Sequence, residues 1–250
     1  MEAPRLRRLV GPLVLLSIWH VISNSGLVNK VLLPTPTETL LVFTQAEKIT
    51  ALFAAASRTT LLSLSGFIIA ATLGTILGIV VGWFSSIYDI FDLVIEFFRA
   101  LPAAALLPPI LLLFGIGNLA KIVLVSFACG LIVLVNTASG VRRRNPIRTM
   151  VAQIEGATKL QILFRVVLPE ALPSVVIGLR ISASLALILT VVAEMFISTD
   201  EGLGRRIVEA QSLFRYAEMY AAILVAGGLG FCFNKALVKV SDRFVHWAGK

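Results

Sequence analysis

Three features of this 250-residue chain place reactive or costly groups where they must be answered by something. Glu194 lies inside the apolar run from Val175 to Ile197, with Arg180 nearer its start and Thr190 one turn before the glutamate. Pro102, Pro108 and Pro109 interrupt the apolar run LPAAALLPPILLLF. A basic stretch, Gly140 to Pro173, separates two apolar segments. A charge in hydrocarbon is costly and tends to face protein or a water-filled cavity. Prolines free backbone carbonyls that lipid does not satisfy, so the third apolar segment is expected to be kinked and turned from lipid. The chemistry open to these residues is solute contact and gating, not bond making. Pro102, Pro108, Arg180, Thr190 and Glu194 are the candidate pathway residues. The competing readings are an interior hydrogen bond for Glu194 and snorkelling for Arg180. Anionic solutes would suit Arg180 or half-helix N-termini beside the kinked segment. Glu96 and Arg99, three apart, are expected to pair on the surface of their own helix.

The motifs of nucleotide hydrolysis and metal catalysis do not occur. There is no G-x-x-x-x-G-K-[ST] phosphate loop, and the Gly249-Lys250 pair sits at the end of the sequence. ATP binding of that kind is not expected here. His20 and His246 lie far apart, without an H-E-x-x-H helix or a G-x-S-x-G elbow, so neither a metal site nor an intramembrane enzyme is expected. Cys129 and Cys232 stand inside apolar runs and read as small core residues.

The elements that must position these groups are apolar helices. Hydrophobic residues make up 58% of the chain and charged residues 14%, against a globular average of about 25% charged. With a mean hydropathy of +0.93, the chain reads as an all-α integral membrane protein. At about 20 residues per span, about six helices use most of the length. The net charge of +8 is scattered between apolar segments, which fits membrane orientation and not nucleic-acid binding. Leu9 to Ile22 reads as an uncleaved first helix rather than a signal peptide. Pro34 and Pro36 lead into an interfacial amphipathic helix carrying Leu40 to Phe53. Leu61 to Phe84 is a span with Gly66, Ala70, Gly74, Gly78 and Gly82 at every fourth residue, a stripe suited to close helix packing. Tyr88 to Arg99 is amphipathic, GIGN is a tight turn, and Leu119 to Ala138 is the next span. Val175 to Ile197 repeats the small stripe with Gly178, Ser182, Ala186, Thr190 and Glu194. A last span runs from about Tyr220 to Val240. The expected organisation is residues 1–57 as a first helix and external segment, 58–240 as the membrane core, and 241–250 as a tail.

With both termini inside, the cytoplasmic face carries Arg5, Arg7, Arg8, Arg142, Arg143, Arg144, Arg148, Lys159, Arg165, Lys235, Lys239, Arg243 and Lys250. The smaller external set is Lys30, Lys48, Arg58, Lys121, Arg205, Arg206 and Arg215. The 140–173 loop reads as helix, glycine bend, helix. Asn145-Pro146 starts the first helix, Gly156 bends the chain, and Thr158 to Val167 forms a second helix stopping at Leu168-Pro169. Val151, Ile154, Leu160, Ile162 and Leu163 give it an apolar surface suited to docking in a groove. A plain connector with orienting charges is the alternative.

The spacing of Ala152, Gly156, Ala157, Val166, Leu168 and Pro169 resembles the loop that permeases of importer-type ABC transporters insert into their ATPase subunits. The triplet here is Met150-Val151-Ala152, without the leading glutamate of the family's EAA pattern. LLPTPTE, LPAAALLPPILLLFGIGNLAK, NTASGVR, VVLPEALPSVVIGLR and VVAEM with GLG are similar, in this order, to the subgroup importing nitrate, sulfonates, taurine, bicarbonate or thiamine-precursor pyrimidines. The resemblance implies a type I importer permease fold in a bacterial inner membrane. It implies a coupling loop formed by Ala152, Glu155, Gly156, Ala157, Val166, Leu168 and Pro169. Its expected partners are ATPase subunits that bind ATP and Mg, an extracytoplasmic solute-binding protein, a second permease copy and the lipid bilayer. No cofactor is expected in this chain. An ion-gradient-driven transporter or channel and a membrane scaffold are the alternatives. The first would need an inverted repeat or an intramembrane proton relay.

Overall fold

The computed structural model describes residues 3–197 and 202–244. Ser198 to Glu201, His246 and the rest of the tail from residue 245 lie outside the described residues, as do the side chains of Arg5, Arg7, Arg8 and Arg243. Among the described residues all regular structure is helical. Four helices are long and apolar enough to cross a membrane, and a fifth candidate is a pair of helices bent by 97°. The first helix, α1 (Ala3–Asn24), contributes only a shorter apolar stretch, Val10–Asn24.

After α1 a short helix, α2 (Pro36–Leu41), is fixed by a capping box. The Thr35 hydroxyl accepts from the Glu38 amide, and the Glu38 carboxylate accepts from the Thr35 amide at 2.8 Å. The segment expected to form a separate interfacial helix instead divides. Val42–Thr44 is a 3-10 turn, and everything from residue 46 joins the next span as α3 (Ala46–Trp83). With 38 residues α3 is about 57 Å long, well beyond a hydrocarbon core of about 30 Å. Nothing between Ala46 and Leu61 interrupts it, because that stretch has neither Pro nor Gly.

The proline-rich segment is broken as its sequence predicts. The amphipathic α4 (Ser85–Ala100) ends before Pro102, a 3-10 turn covers Ala103–Leu106, and α5 (Leu107–Phe114) begins with Pro108 and Pro109 in its first turn. The bend therefore belongs to Pro102, while the other two prolines start a helix where no N–H partner is needed. Gly115, at φ +76°, turns the chain into α6 (Asn118–Arg142). Lys121, expected at the external start of this span, is in the first turn of α6, fully buried and partnered. The loop helix α7 (Pro146–Ile154) and the short α8 (Lys159–Ile162) follow. The expected stop at Leu168-Pro169 does not occur. A π-helical turn, Leu163–Val167, runs straight into α9 (Leu168–Phe196). Pro169 lacks the N–H that would bond the Arg165 carbonyl, and the widened turn accommodates that missing bond. The chain closes with α10 (Leu203–Ser212) and α11 (Tyr216–Phe244).

The core is a row of α3, α6 and α9. All five residues of the α3 stripe are buried. A methyl group added at Gly74 would stand 2.6 Å from the Gly130 carbonyl oxygen, and one at Gly78 would stand 2.6 Å from Thr137 Cβ. Opposite, Ser182 on α9 donates to the Cys129 carbonyl at 3.1 Å and the Cys129 thiol donates to the Ser182 carbonyl at 3.3 Å. Lipid tails are as apolar as the side chains, so close packing and interhelical hydrogen bonds hold such helices together. By contrast, methyl groups added at Gly227 and Gly228 on α11 would meet nothing within 4 Å.

Gly78→Val is expected to separate α3 from α6 and to destabilise the protein by about 1–3 kcal/mol or more, read as a lower unfolding temperature in detergent. Gly227→Ala, in open space, should leave it unchanged, and equal effects of the two would contradict this packing.

Candidate functional site

The 140–173 loop is built as a closed unit. Asn145 caps α7 by accepting from the Ile147 amide at 2.9 Å, and Pro146 supplies the first helical position. At the other end Gly156 takes φ +83°, the Gly156 amide bonds the Gln153 carbonyl and the Ala157 amide bonds the Ala152 carbonyl, each at 3.0 Å. This pair of bonds ends a helix with a left-handed glycine, a conformation that residues with a Cβ adopt at a cost of about 1–2 kcal/mol. Thr158 and Gln161 form a capping box that starts α8. The loop's base is tied to α9, where Glu170 accepts from the Asn145 amide at 3.1 Å and lies 3.8 Å from Arg148. A methyl group at Gly140 would stand 2.7 Å from Ser174 Cβ, so the two spans leaving the loop meet closely.

Most of the residues with the family spacing turn inward. Ala152, Ala157, Val166 and Leu168 pack against the buried cluster Val141, Ile162, Leu163, Val167 and Ala171 beneath the loop. Ile162 and Leu163, expected on the outer surface, are only 2% and 9% exposed and pack with Val141 of α6 beneath the loop. Glu155, Gly156 and Pro169 are exposed. The outer face is instead Ile147, Met150, Val151 and Ile154, exposed by 70%, 61%, 49% and 80%. Their spacing of three, four and seven residues places all four on one side of α7. Ile147 and Met150 were missed by the sequence reading, although that spacing was available to find them.

The candidate pathway residues divide into two groups. Pro102, Pro108 and Arg180 are exposed, the two prolines on the bent α4–α5 segment and the arginine on α9. Thr190 is buried and spends its hydroxyl on the Ala186 carbonyl at 2.8 Å. Glu194 is 1% exposed. Its carboxylate accepts from the Thr59 hydroxyl at 2.9 Å and from the Gly204 amide at 3.0 Å, while the Thr59 oxygen accepts from the Leu203 amide at 3.0 Å. Glu194 thus stands at the N-terminus of α10, where free amides and the helix dipole favour a carboxylate. A side chain at Gly202 would collide with that carboxylate, and one at Gly204 with the Val191 carbonyl. The glycines of the GLG run are there so that the backbone can close over Glu194. In this geometry the carboxylate ties α3, α9 and α10 together. Among the described residues no group of His, Cys, Asp and Glu is placed to hold a metal.

Glu194→Ala would leave the Gly204 amide and the Thr59 hydroxyl without their acceptor, a loss of about 1.5–3 kcal/mol per charged hydrogen bond. Gly202→Val should produce the same defect from the other side. Both are expected to lower the yield of folded protein on size-exclusion chromatography. Normal yield in both would contradict the knot.

Comparisons with known proteins place the chain in a family. Residues 70–245 match the family described as "Binding-protein-dependent transport system inner membrane component". The putative aliphatic sulfonates transport permease protein SsuC of Bacillus subtilis is 29% identical over 240 residues, covering 96% of this chain and 84% of that protein. The bicarbonate transport system permease protein CmpB of Synechococcus elongatus is 30% identical over 251 residues, covering 96% and 86%. Among solved structures, a chain of the MetNI methionine ABC transporter in an inward facing conformation superposes with a TM-score of 0.71 at 16% identity. It covers 80% of this chain and 99% of its own length. The fold is therefore shared with that chain of an ABC transporter, and the family match takes in every helix from within α3 to the end of α11. The chain belongs to the family of binding-protein-dependent transport system inner-membrane components.

Proposed function

We propose that this chain is the permease subunit of an ATP-driven importer for a small anionic solute. Two copies would enclose the pathway, and separate ATPase subunits would bind ATP and Mg and grip the 140–173 loop. A solute-binding protein would deliver cargo on the opposite face. The names of the sulfonate and bicarbonate relatives support the solute class. The observation that carries the proposal is the outward apolar row of α7. Four large side chains stand exposed on a loop whose interior is packed, capped and tied to α9. Such a row at i, i+3, i+4 and i+7 is the pattern by which an amphipathic helix enters a groove. Burying each side chain fully would contribute about 1.5–3 kcal/mol. A plain connector has no use for that exposure, whereas a protein groove covers it.

Because the loop is fastened to α6 and α9, closure of the ATPases would carry those spans with it and open the pathway alternately to each side. The bent α4–α5 segment, with Pro102 and Pro108, and Arg180 on α9 are the pathway elements in this reading. Thr190 and Glu194 support it from behind. The orientation follows the basic loop, with the 140–173 face in the cytoplasm and α10 outside.

Ile154→Asp is expected to release the ATPase during purification while membrane insertion and monodispersity persist. Gly156→Leu should lower solute uptake per assembled complex by distorting the end of α7. Retention of the ATPase by Ile154→Asp, with uptake unchanged, would overturn the docking face.

Orientation is tested separately in a background lacking Cys129 and Cys232. Leu213→Cys should react with an impermeant thiol reagent in right-side-out vesicles and Lys159→Cys in inside-out ones. The reverse pattern contradicts the assignment.

A further inference from the structure

The charges of α4 have no role in the arrangement so far, and their placement is unusual. Tyr88, Asp92, Glu96 and Arg99 recur every three or four residues and so share one side of α4. That side lines a cleft of about 240 Å³ against the loop-end half of α6, where it meets Ser139, Arg142 and Arg143. The opposite side of α4 is apolar and open, with Leu93 82% and Phe97 60% exposed. Two contacts fix how α4 lies. At the loop end the Arg142 guanidinium sits 3.5 Å from the centre of the Tyr88 ring. At its far end Phe98 packs edge-on to Phe127 with ring centres 5.3 Å apart. Phe127 belongs to the middle third of α6, so α4 climbs from the loop face to the middle of the membrane.

Glu96 and Arg99 are therefore at mid-membrane depth. They pair at 2.7 Å, yet their side chains remain 61% and 49% exposed. An ion pair that open does not face hydrocarbon. It faces water or another protein surface. The cleft's three guanidinium groups outnumber its two carboxylates by one charge. Arg142 lies against an aromatic ring and Arg99 sits in an open pair, so both retain donors for an incoming acceptor.

We propose that the α4–α6 cleft is a water-filled anion site on the loop side of the pathway, in which Arg99 and Arg142 contact the solute's anionic group during its passage. A carboxylate, sulfonate or bicarbonate head offers the paired oxygens that a guanidinium binds best. The site's lining runs along α4 from Tyr88 to Arg99, close before the Pro102 break. This assignment rests on the importer reading above for the direction of travel. Its test needs no transport.

The test is cysteine modification in the assembled complex in inside-out vesicles, with Cys129→Ser and Cys232→Ser as background. Ser139→Cys and Ile95→Cys face the cleft from its two walls, and Leu93→Cys lies on the opposite side of α4. Each is treated with the anionic 2-sulfonatoethyl and the cationic 2-(trimethylammonium)ethyl methanethiosulfonates, with rates normalised to a free thiol in solution. Both cleft positions are expected to react and to favour the anionic reagent. Adding Arg142→Gln or Arg99→Gln should slow the anionic reagent about fivefold, as for one unit charge acting over about 4 Å of water, and speed the cationic one in turn. Raising the salt should reduce the preference too. Leu93→Cys should resist both reagents. Silence at both cleft positions would overturn the proposal, since lipid or a second copy then fills the cleft. A preference for the cation, or one indifferent to both arginines, would also overturn it, as would equal reactivity at Leu93→Cys. Failure of the importer reading itself would appear instead as an intact cleft without a co-purifying ATPase.

Discussion

Backbone-close contact between α3 and α6 is the constraint on which the rest of the structure depends. In a bilayer, apolar side chains gain nothing by leaving lipid for each other, so helices associate where small residues bring main chains within reach. Gly66, Ala70, Gly74, Gly78 and Gly82 provide such a track along α3. The same logic continues across α6 to α9 through Gly178, which abuts Asn136, and the reciprocal Cys129–Ser182 bonds. Three helices thereby form a row stiff enough to carry force from one membrane face to the other. The outer elements, α1 and α11, pack far more loosely, and large side chains such as Leu15 and Phe231 stand open.

Each end of the row is finished by a polar lock. At one end Glu194 accepts from Thr59 and Gly204 and pins α10 across the tops of α3 and α9. At the other, Glu170 holds Asn145 and so anchors the start of α7 to the start of α9. Both carboxylates satisfy backbone amides at helix starts, which are the groups left unpaired by helix geometry. The locks make the loop and the row one body. Of the broken segment, α4 has no buried residue, whereas α5 packs Leu107 and Ile110 against α6 and α9. Motion between a rigid row and the loosely held α4 is the simplest way for such a chain to open a route.

Much of this was legible in the sequence because the signals were local. Periodicity of four in small residues identified the packed faces, Pro102 marked the break, and Asn145, Pro146 and Gly156 bounded α7. What stayed hidden depended on contacts between distant residues or on cooperative helix growth. The partners of Glu194 lie 135 and 10 residues away, so its apolar surroundings left a pathway role open beside the favoured interior hydrogen bond. Pro169 read as a stop, yet a π-turn carried the helix through it, and Ile162 and Leu163 are buried beneath the loop. The separate interfacial helix was lost because α3, once nucleated, meets no proline before Phe84. That Lys121, at the start of α6, is buried and partnered was likewise beyond the reach of hydropathy.

The central claim is that the 140–173 loop and the α3–α6–α9 row move as one body when ATP drives the assembly. Spin labels at Gln153 on the loop and Ile177 on α9, both exposed, allow the distance between them to be followed by pulsed electron paramagnetic resonance in the assembled complex. With a single labelled copy per assembly, that distance should be unchanged between nucleotide-free and ATP-trapped states. Labels at Gln153 alone, on both copies, should then report a change between copies. A shift or broadening of the Gln153–Ile177 distance on trapping ATP would show the loop flexing on its stem and would contradict the account.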